Sequence, residues 1–255
     1  AEGEQLWQAS YGGSGADALF ALQPTADGGY ILGGYSSSPA SKNKESEGFG
    51  KSDFWMIKIA SDGEKEWDTS YGGNANEEAY TIRLDQIGEG YFIAGRSSSP
   101  ESGNKTSRYI GRSDFWLVKT TENGEVEWDV SFGGSDADSL NSMQQSADGG
   151  LILAGESWSP PSGNKESSLF GESDFWLVRT SMDGNREWDA SFGGSGREIL
   201  STVQNTSDGG YVLGGSSSSP PSGNKISPRF AERDGFDIWV VKLEGNIRLK
   251  SPGTA

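Results

Sequence analysis

Four carboxylates recur at matching places along the chain, and their chemistry is that of a hard-cation site. Each lies six residues after the aromatic residue of a Tyr/Phe-Gly-Gly motif; they are Asp17, Glu77, Asp138 and Glu198. Calcium takes several oxygen ligands, and four carboxylates held close together would repel one another without a cation. We therefore expect bound calcium if the fold gathers them. The alternative is that each acid accepts hydrogen bonds from the adjacent Gly-Gly turn or from a neighbouring loop.

A second set of residues recurs in four long stretches rich in serine and proline. Each stretch contains an Asn-Lys pair followed by an aromatic residue. Amide and ammonium groups can bind sugar hydroxyls or an acidic group, while an aromatic ring stacks on a sugar face. The alternative is that Asn and Lys tie each loop together and that the aromatic residue pins it to the sheet. The candidate ligand-binding residues are Asn43, Lys44, Phe49, Asn104, Lys105, Tyr109, Asn164, Lys165, Phe170, Asn224, Lys225 and Phe230.

Trp158 completes this set of candidates. It stands in one of the long stretches at a position where the other three have serine, at Ser37, Ser98 and Ser218. A large indole there either forms a platform for a ligand or packs on a neighbouring segment.

The composition excludes several function classes. The chain has no His and no Cys, so zinc sites, thiol chemistry and His-based triads are excluded. Catalysis would have to rest on carboxylates, Lys, Tyr or a metal, and we expect a protein that is not an enzyme. The net charge of −16 repels phosphate backbones and anionic membranes, so we expect no nucleic-acid partner. No apolar run reaches membrane-spanning length, so we expect no membrane insertion.

These candidates are positioned by a fourfold repeat of about sixty residues, the length at which repeat architectures are sought. The stretch "SDFWLVKT" from Ser113 returns almost unchanged from Ser173, and earlier as "SDFWMIKI" from Ser52. "DGGYILGG" from Asp27 returns in the third and fourth repeats and, more loosely, in the second. Eight of the nine Trp residues occupy repeat positions, which are Trp7, Trp55, Trp67, Trp116, Trp128, Trp176, Trp188 and Trp239.

Each repeat contains four strand signals. In the first repeat they begin at Leu19, Tyr30, Asp53 and Lys65. The Asp-Gly pairs between apolar runs predict hairpins with type I′ turns, in which both central residues have positive φ. The "DFWLVK" segments are apolar on both alternating faces, which predicts a strand buried on both sides.

Four-stranded units repeated about an axis predict a β-propeller, and the repeat resembles the blade of WD-repeat-like propellers in bacterial secreted proteins. The resemblance implies that the first strand of each blade lines the axis, so the four acids would ring the mouth of a central channel. It also implies that the long stretches lie together on one face. A similar Asp braces turns in that family, which implies a structural role for the Asp of "DFW". These residues are Asp53, Asp114, Asp174 and Asp237.

We expect one all-β domain over residues 1–255, a four-bladed β-propeller with four antiparallel strands in each blade. The blades span about 14–73, 74–134, 135–194 and 195–250. The chain opens with the sequence of an outermost strand that has no blade before it, so residues 4–11 are predicted to complete the last blade. An open solenoid of four units is the structural alternative.

Three function classes follow from these observations. We expect a binding or adhesion module, located outside a bacterial cell or at its surface, that recognises carbohydrate through the face carrying the long loops. A protein–protein scaffold of a secreted or surface protein is the alternative, with a surface protein as partner. A carboxylate-based glycan-active enzyme comes third, because acids repeated with fourfold symmetry offer no distinction between acid and base. We expect a monomer and no cofactor other than calcium.

Overall fold

A computed structural model describes residues 3–233 and 235–245, and these residues form fifteen β-strands and no helix. The chain divides into two compact units, Ala1–Phe132 and Gly133–Ala255, and each contains two of the repeats. The strands of the first unit are Asp17–Pro24 (β1), Tyr30–Ser36 (β2), Asp53–Ile59 (β3), Lys65–Tyr71 (β4), Glu77–Leu84 (β5), Tyr91–Ser97 (β6), Asp114–Thr120 (β7) and Val126–Phe132 (β8). Those of the second are Asp138–Gln145 (β9), Leu151–Ser157 (β10), Asp174–Thr180 (β11), Arg186–Phe192 (β12), Glu198–Asn205 (β13), Tyr211–Ser217 (β14) and Asp237–Leu243 (β15).

Each repeat folds into its own antiparallel sheet, with its strands hydrogen-bonded in the order of the sequence. The first unit contains the sheets β1–β4 and β5–β8, and the second contains β9–β12 and β13–β15. The prediction of an all-β fold built from repeated antiparallel sheets is therefore confirmed. The first strand of every sheet contains or adjoins a register shift, for example between Leu19 and Ala21.

The third strand of the first three sheets is the most buried element, as its doubly apolar sequence predicts. Every residue of β3, β7 and β11 is buried. Within each unit the two sheets pack through "DFW" residues of adjacent repeats. The ring centroids of Phe54 and Trp116 lie 4.6 Å apart, and those of Phe175 and Trp239 lie 4.9 Å apart. These tilted aromatic pairs form the core between neighbouring sheets.

The hairpin turns lie where the Asp-Gly signals predict them, but the predicted type I′ geometry is wrong. In the first turn only Gly28 has positive φ, at 85°. The Gly28 N–H donates to the Thr25 carbonyl over 3.0 Å, and the Thr25 N–H donates to the Gly29 carbonyl over 2.9 Å. A three-residue loop with a single left-handed glycine accounts for this pattern, because the aspartate keeps an ordinary backbone conformation.

The fourth sheet departs from the other three. Among the described residues it has three strands, and residues 3–13 form no strand. On β15, Ile238 is 88% exposed and Val240 is 59% exposed, although their counterparts on β3 are buried. Pairing of residues 4–11 with β15 stays a prediction, as do the arrangement of the four sheets around one axis and the blade boundaries. The end of the predicted fourth blade, residues 246–250, lies outside the described residues.

Candidate functional site

The four predicted metal ligands begin the first strand of each sheet, and each binds the Gly-Gly turn that precedes it. Glu77 accepts hydrogen bonds from the Gly73 N–H over 2.8 Å and from the Ser97 hydroxyl over 2.9 Å. The same glycine N–H bond is made by Asp17, Asp138 and Glu198. This bonding matches the alternative that the sequence left open. Within the described residues, no group of three or more acidic side chains is placed to hold a metal ion.

The Asp of "DFW" braces the end of each long loop, which confirms the structural role that the resemblance implied. The Phe49 N–H donates to Asp53 Oδ2 over 2.9 Å, and the Phe170 N–H donates to Asp174 Oδ2 over 2.7 Å. Burial raises the pKa of Asp53 to about 6, and the nearby Glu77 carboxylate adds to the effect. Burial raises the pKa of Asp174 to about 6 in the same way.

The Asn of each Asn-Lys pair ties its long loop to the preceding Gly-Gly segment. Asn104 Oδ1 accepts from the Gly72 N–H over 2.9 Å, and its Nδ2 donates to the Ser70 carbonyl over 3.0 Å. One side chain thus satisfies a backbone donor just after β4 and a backbone acceptor near the end of β4. The equivalent bond from a glycine N–H is made to Asn43, Asn164 and Asn224.

The Lys of each pair is buried beneath its loop. Lys105 Nζ donates to the carbonyl and hydroxyl of Ser107 over 2.6 and 2.8 Å, and to the Ser131 hydroxyl over 3.0 Å. It also lies 5.6 Å from the centre of the Trp116 ring. Burial lowers the pKa of Lys105, and the Asp129 carboxylate opposes that change. Lys44, Lys165 and Lys225 are buried over the equivalent Trp rings.

A further residue that holds the first three long loops is the Asp of "EWD", which sequence reasoning did not single out. Asp129 accepts from the Ser107 N–H over 2.8 Å and from Trp116 Nε1 over 2.8 Å. Asp189 repeats these contacts with Ser167 and Trp176. Recurrence of this Asp beside the repeated Trp was the available signal.

The loop aromatics keep accessible surface, as the exposed Asn43 and Asn224 also do. Phe49, Tyr109 and Phe170 are each about two-fifths exposed, and Phe230 is 81% exposed. A Cβ on Gly103 would lie 2.8 Å from Phe49 Cγ, so glycine lets the next loop pack against one side of this ring. Ile110, not Tyr109, makes the backbone bond equivalent to that of Phe49, so the aromatic position is shifted by one residue in the second repeat.

Trp158 is half-buried and stacks on an arginine of the next repeat. The Arg197 guanidinium carbon lies 5.3 Å from the centre of the Trp158 ring. The Arg197 side chain lies at a cleft in the second unit that Arg229 and Arg233 also line. Sequence reasoning missed these arginines, although Arg197 departs from the residues at the equivalent positions, Ala16, Asn76 and Ala137.

Comparison with known proteins gives no family. No family model matches the chain, and no curated protein matches it. A solved structure that it resembles is a protein of unknown function from Bacteroides caccae, with a TM-score of 0.31 and 12% identity. The similarity covers 76% of this chain and 69% of that one. At these values the likeness carries no argument about function.

None of the described segments is a helix long and apolar enough to span a membrane.

Proposed function

We propose that this chain is a non-catalytic binding module of the bacterial cell surface that recognises carbohydrate through its long loops. These loops span residues 37–52, 98–113, 158–173 and 218–236. The observation that carries the proposal is the contrast within each loop. Asn and Lys are held by hydrogen bonds, while the aromatic rings Phe49, Tyr109 and Phe170 remain partly exposed on that fixed base.

Rigid presentation of a ring favours sugar binding because little conformational entropy is lost when the ligand arrives. The face of a pyranose is apolar and covers an aromatic ring well, and nearby serine hydroxyls can bond the sugar hydroxyls. The resemblance of the repeat to WD-repeat-like propellers of bacterial secreted proteins supports this assignment. Several related loops would also raise avidity toward a ligand that itself repeats.

A specific observation favours a protein partner as the second candidate. In the fourth long loop, Ile226 is 91% exposed, and Phe230, four residues later in the sequence, is 81% exposed. Two large exposed apolar side chains in one loop are more typical of a protein interface than of a sugar site.

Affinity electrophoresis in gels containing neutral and acidic polysaccharides tests the carbohydrate proposal. We expect at least one polysaccharide to retard the wild-type protein, and Phe49→Ala with Phe170→Ala to remove most of the retardation. Ile87→Ala is the matched control, because Ile87 is an exposed apolar residue in a hairpin turn away from the long loops. Unchanged mobility of the wild type in every gel would contradict carbohydrate recognition. Equal retardation of the aromatic variant and the control would contradict the assignment to these rings.

A further inference from the structure

One cleft of the second unit is lined by three arginines in a protein whose net charge is −16. The cleft has a volume of about 380 Å³ and lies between the Gly-Gly segment before β13 and the end of the fourth long loop. Arg197 comes from the former, and Arg229 and Arg233 come from the latter. Pro220, Phe236 and Glu172 also line the cleft.

The three guanidinium groups lack carboxylate partners within the part of the chain that the structure describes. No ion pair joins Arg197, Arg229 or Arg233 to a described acidic side chain, although other arginines such as Arg179 and Arg186 form such pairs. The Nε atoms of Arg197 and Arg229 are buried and have no hydrogen-bond partner among the described atoms. Unsatisfied buried donors are costly, so their retention calls for an explanation.

The cleft is held in place by contacts that are independent of any ligand. Trp158 supports the Arg197 guanidinium from one side at 5.3 Å. Arg229 Nη2 donates to the Gly235 carbonyl over 3.2 Å, and the Gly235 N–H donates to the Glu232 carbonyl over 3.1 Å. Arg233 has a φ of 51°, an uncommon conformation for a residue other than glycine. This turn presents Arg233 at the same cleft.

The cleft also breaks the symmetry of the repeats. The fourth loop places twelve residues between Asn224 and Asp237, whereas nine separate Asn164 and Asp174. The additional residues follow Phe230, in the segment that carries Arg233. Trp158 is likewise the one Trp outside the repeat pattern. Duplication alone accounts for features shared by all four loops, but it does not account for three separate departures, Arg197, Trp158 and the longer fourth loop, that meet at one place.

We propose that this cleft binds an anionic group, a carboxylate or a sulfate, on an acidic polysaccharide. A guanidinium donates two parallel hydrogen bonds to such groups, and an anion would relieve the repulsion among three neighbouring positive charges. Phe236 and Pro220 supply apolar surface for the sugar ring beside the anion. The polysaccharide part of this inference rests on the proposed function, whereas the anion site depends only on the cleft.

Affinity electrophoresis at about 0.15 M salt, where exposed charges are screened beyond roughly 8 Å, tests the inference. The probes are polygalacturonate for carboxylate, dextran sulfate for sulfate, and dextran as the neutral polymer. The wild type should be retarded by at least one acidic polymer, although the net negative charge of the protein repels such polymers. Arg197→Ala should weaken that binding at least tenfold, and Arg233→Gln, at an exposed position, should weaken it severalfold. Arg108→Ala is the control, because it removes the same charge from an exposed loop position in the first unit.

The outcomes separate this inference from the proposed function. Retardation by dextran but by neither acidic polymer would overturn the anion site and leave carbohydrate recognition standing. Equal losses in Arg197→Ala, Arg233→Gln and Arg108→Ala would overturn the cleft as the location. Near-ultraviolet circular dichroism of each variant establishes that the fold is retained. If Arg197→Ala is misfolded, Arg233→Gln decides the outcome.

Discussion

Lys105 Nζ lies 5.6 Å from the centre of the Trp116 ring, and the other three repeats contain the same pairing at 5.7 to 5.9 Å. In the first three sheets this Lys links a long loop to the most buried strand, which is β3, β7 or β11. The ammonium is held by serine oxygens and an aromatic face instead of a close carboxylate. The pair therefore fixes the base from which the loop aromatics are presented.

Replacing this lysine should destabilise the first unit. Lys105→Met keeps most of the apolar length of the side chain but removes three hydrogen bonds and the cation–π contact. Relief of the desolvation cost of the charge offsets part of the loss, so we expect about 1–3 kcal/mol less unfolding free energy. Urea denaturation of Lys105→Met measures it, with the exposed Lys51→Met as control. Equal stability of the two variants would contradict a structural role for the buried ammonium.

Much of the fold could be predicted from the sequence because its signals are local and repeated. The spacing of Trp55, Trp116 and Trp176 located the third strands, and the doubly apolar pattern predicted their burial. The exposure of β15, compared with the buried third strands of the other sheets, could not be predicted in this way. Ile238 and Val240 are as apolar as their counterparts, and their exposure depends on which surface covers them rather than on residue type.

The candidate site was harder to predict because the same residue types serve both interpretations. An Asn or Lys in a serine-rich loop is equally suited to a sugar hydroxyl and to a backbone carbonyl, and only the contacts of Asn104 and Lys105 reveal which atoms they bind. The arginine cleft joins Arg197 with residues more than thirty positions later. Periodicity emphasises what repeats share and therefore draws attention away from residues that break the pattern.

The stability of the fold should rise as the pH falls from 7 to about 5. The pKa of Asp174 is raised to about 6 in the folded state, above the value of about 3.9 in an unfolded chain. At a pH between these two pKa values the folded protein binds more protons than the unfolded chain. The unfolding free energy therefore falls as the pH rises. Asp53 and Asp138, whose pKa values are also raised to about 6, act in the same direction.

Below about pH 4 the trend should reverse. Hydrogen bonds lower the pKa of Asp129 and Asp189 in the folded state, and protonation of these carboxyls removes their contribution to stability. Melting temperature measured from about pH 3 to pH 7 checks both trends, the rise in stability from pH 7 to pH 5 and the fall below about pH 4. Asp174→Asn should reduce the change in unfolding free energy between pH 5 and pH 7 by up to about 3 kcal/mol, because a difference of one pKa unit corresponds to about 1.4 kcal/mol. The exposed turn variant Asp183→Asn should leave the curve unchanged. A melting temperature that rises steadily from pH 5 to pH 7 would contradict the buried-carboxyl account.

Calcium should raise the melting temperature if the acids at the starts of β1, β5, β9 and β13 bind the ion. A ligand at one hundred times its dissociation constant stabilises the folded state by about 2.7 kcal/mol. Melting in calcium is compared with melting in chelator, first for the wild type and then for Glu77→Gln, which should lose the increment. The exposed Glu64→Gln is the matched control. Identical melting of the wild type in calcium and chelator would leave these acids with their hydrogen bonds to the Gly-Gly turns alone.

Closure of the fourth sheet by residues 4–11 can be tested with a cysteine pair, because the chain has no cysteine of its own. Met56 pairs with Thr69 in the first sheet, and the repeat places Val240 and Ala9 at the equivalent positions. Ala9→Cys with Val240→Cys should therefore form a disulfide within one chain under mild oxidation at low protein concentration. The pair is compared with Ala9→Cys combined with Lys51→Cys, which has no predicted partner position.

Non-reducing electrophoresis and mass spectrometry separate the possible products of this experiment. An intramolecular disulfide specific to the Ala9–Val240 pair is the expected result, together with a higher melting temperature, because the crosslink restricts the unfolded chain. Covalent dimers from a mixture of the two single-cysteine proteins would show that the strand comes from a second copy, which would contradict closure within one chain. Equal crosslinking of both pairs would contradict the predicted register, because only the first pair is expected to be adjacent.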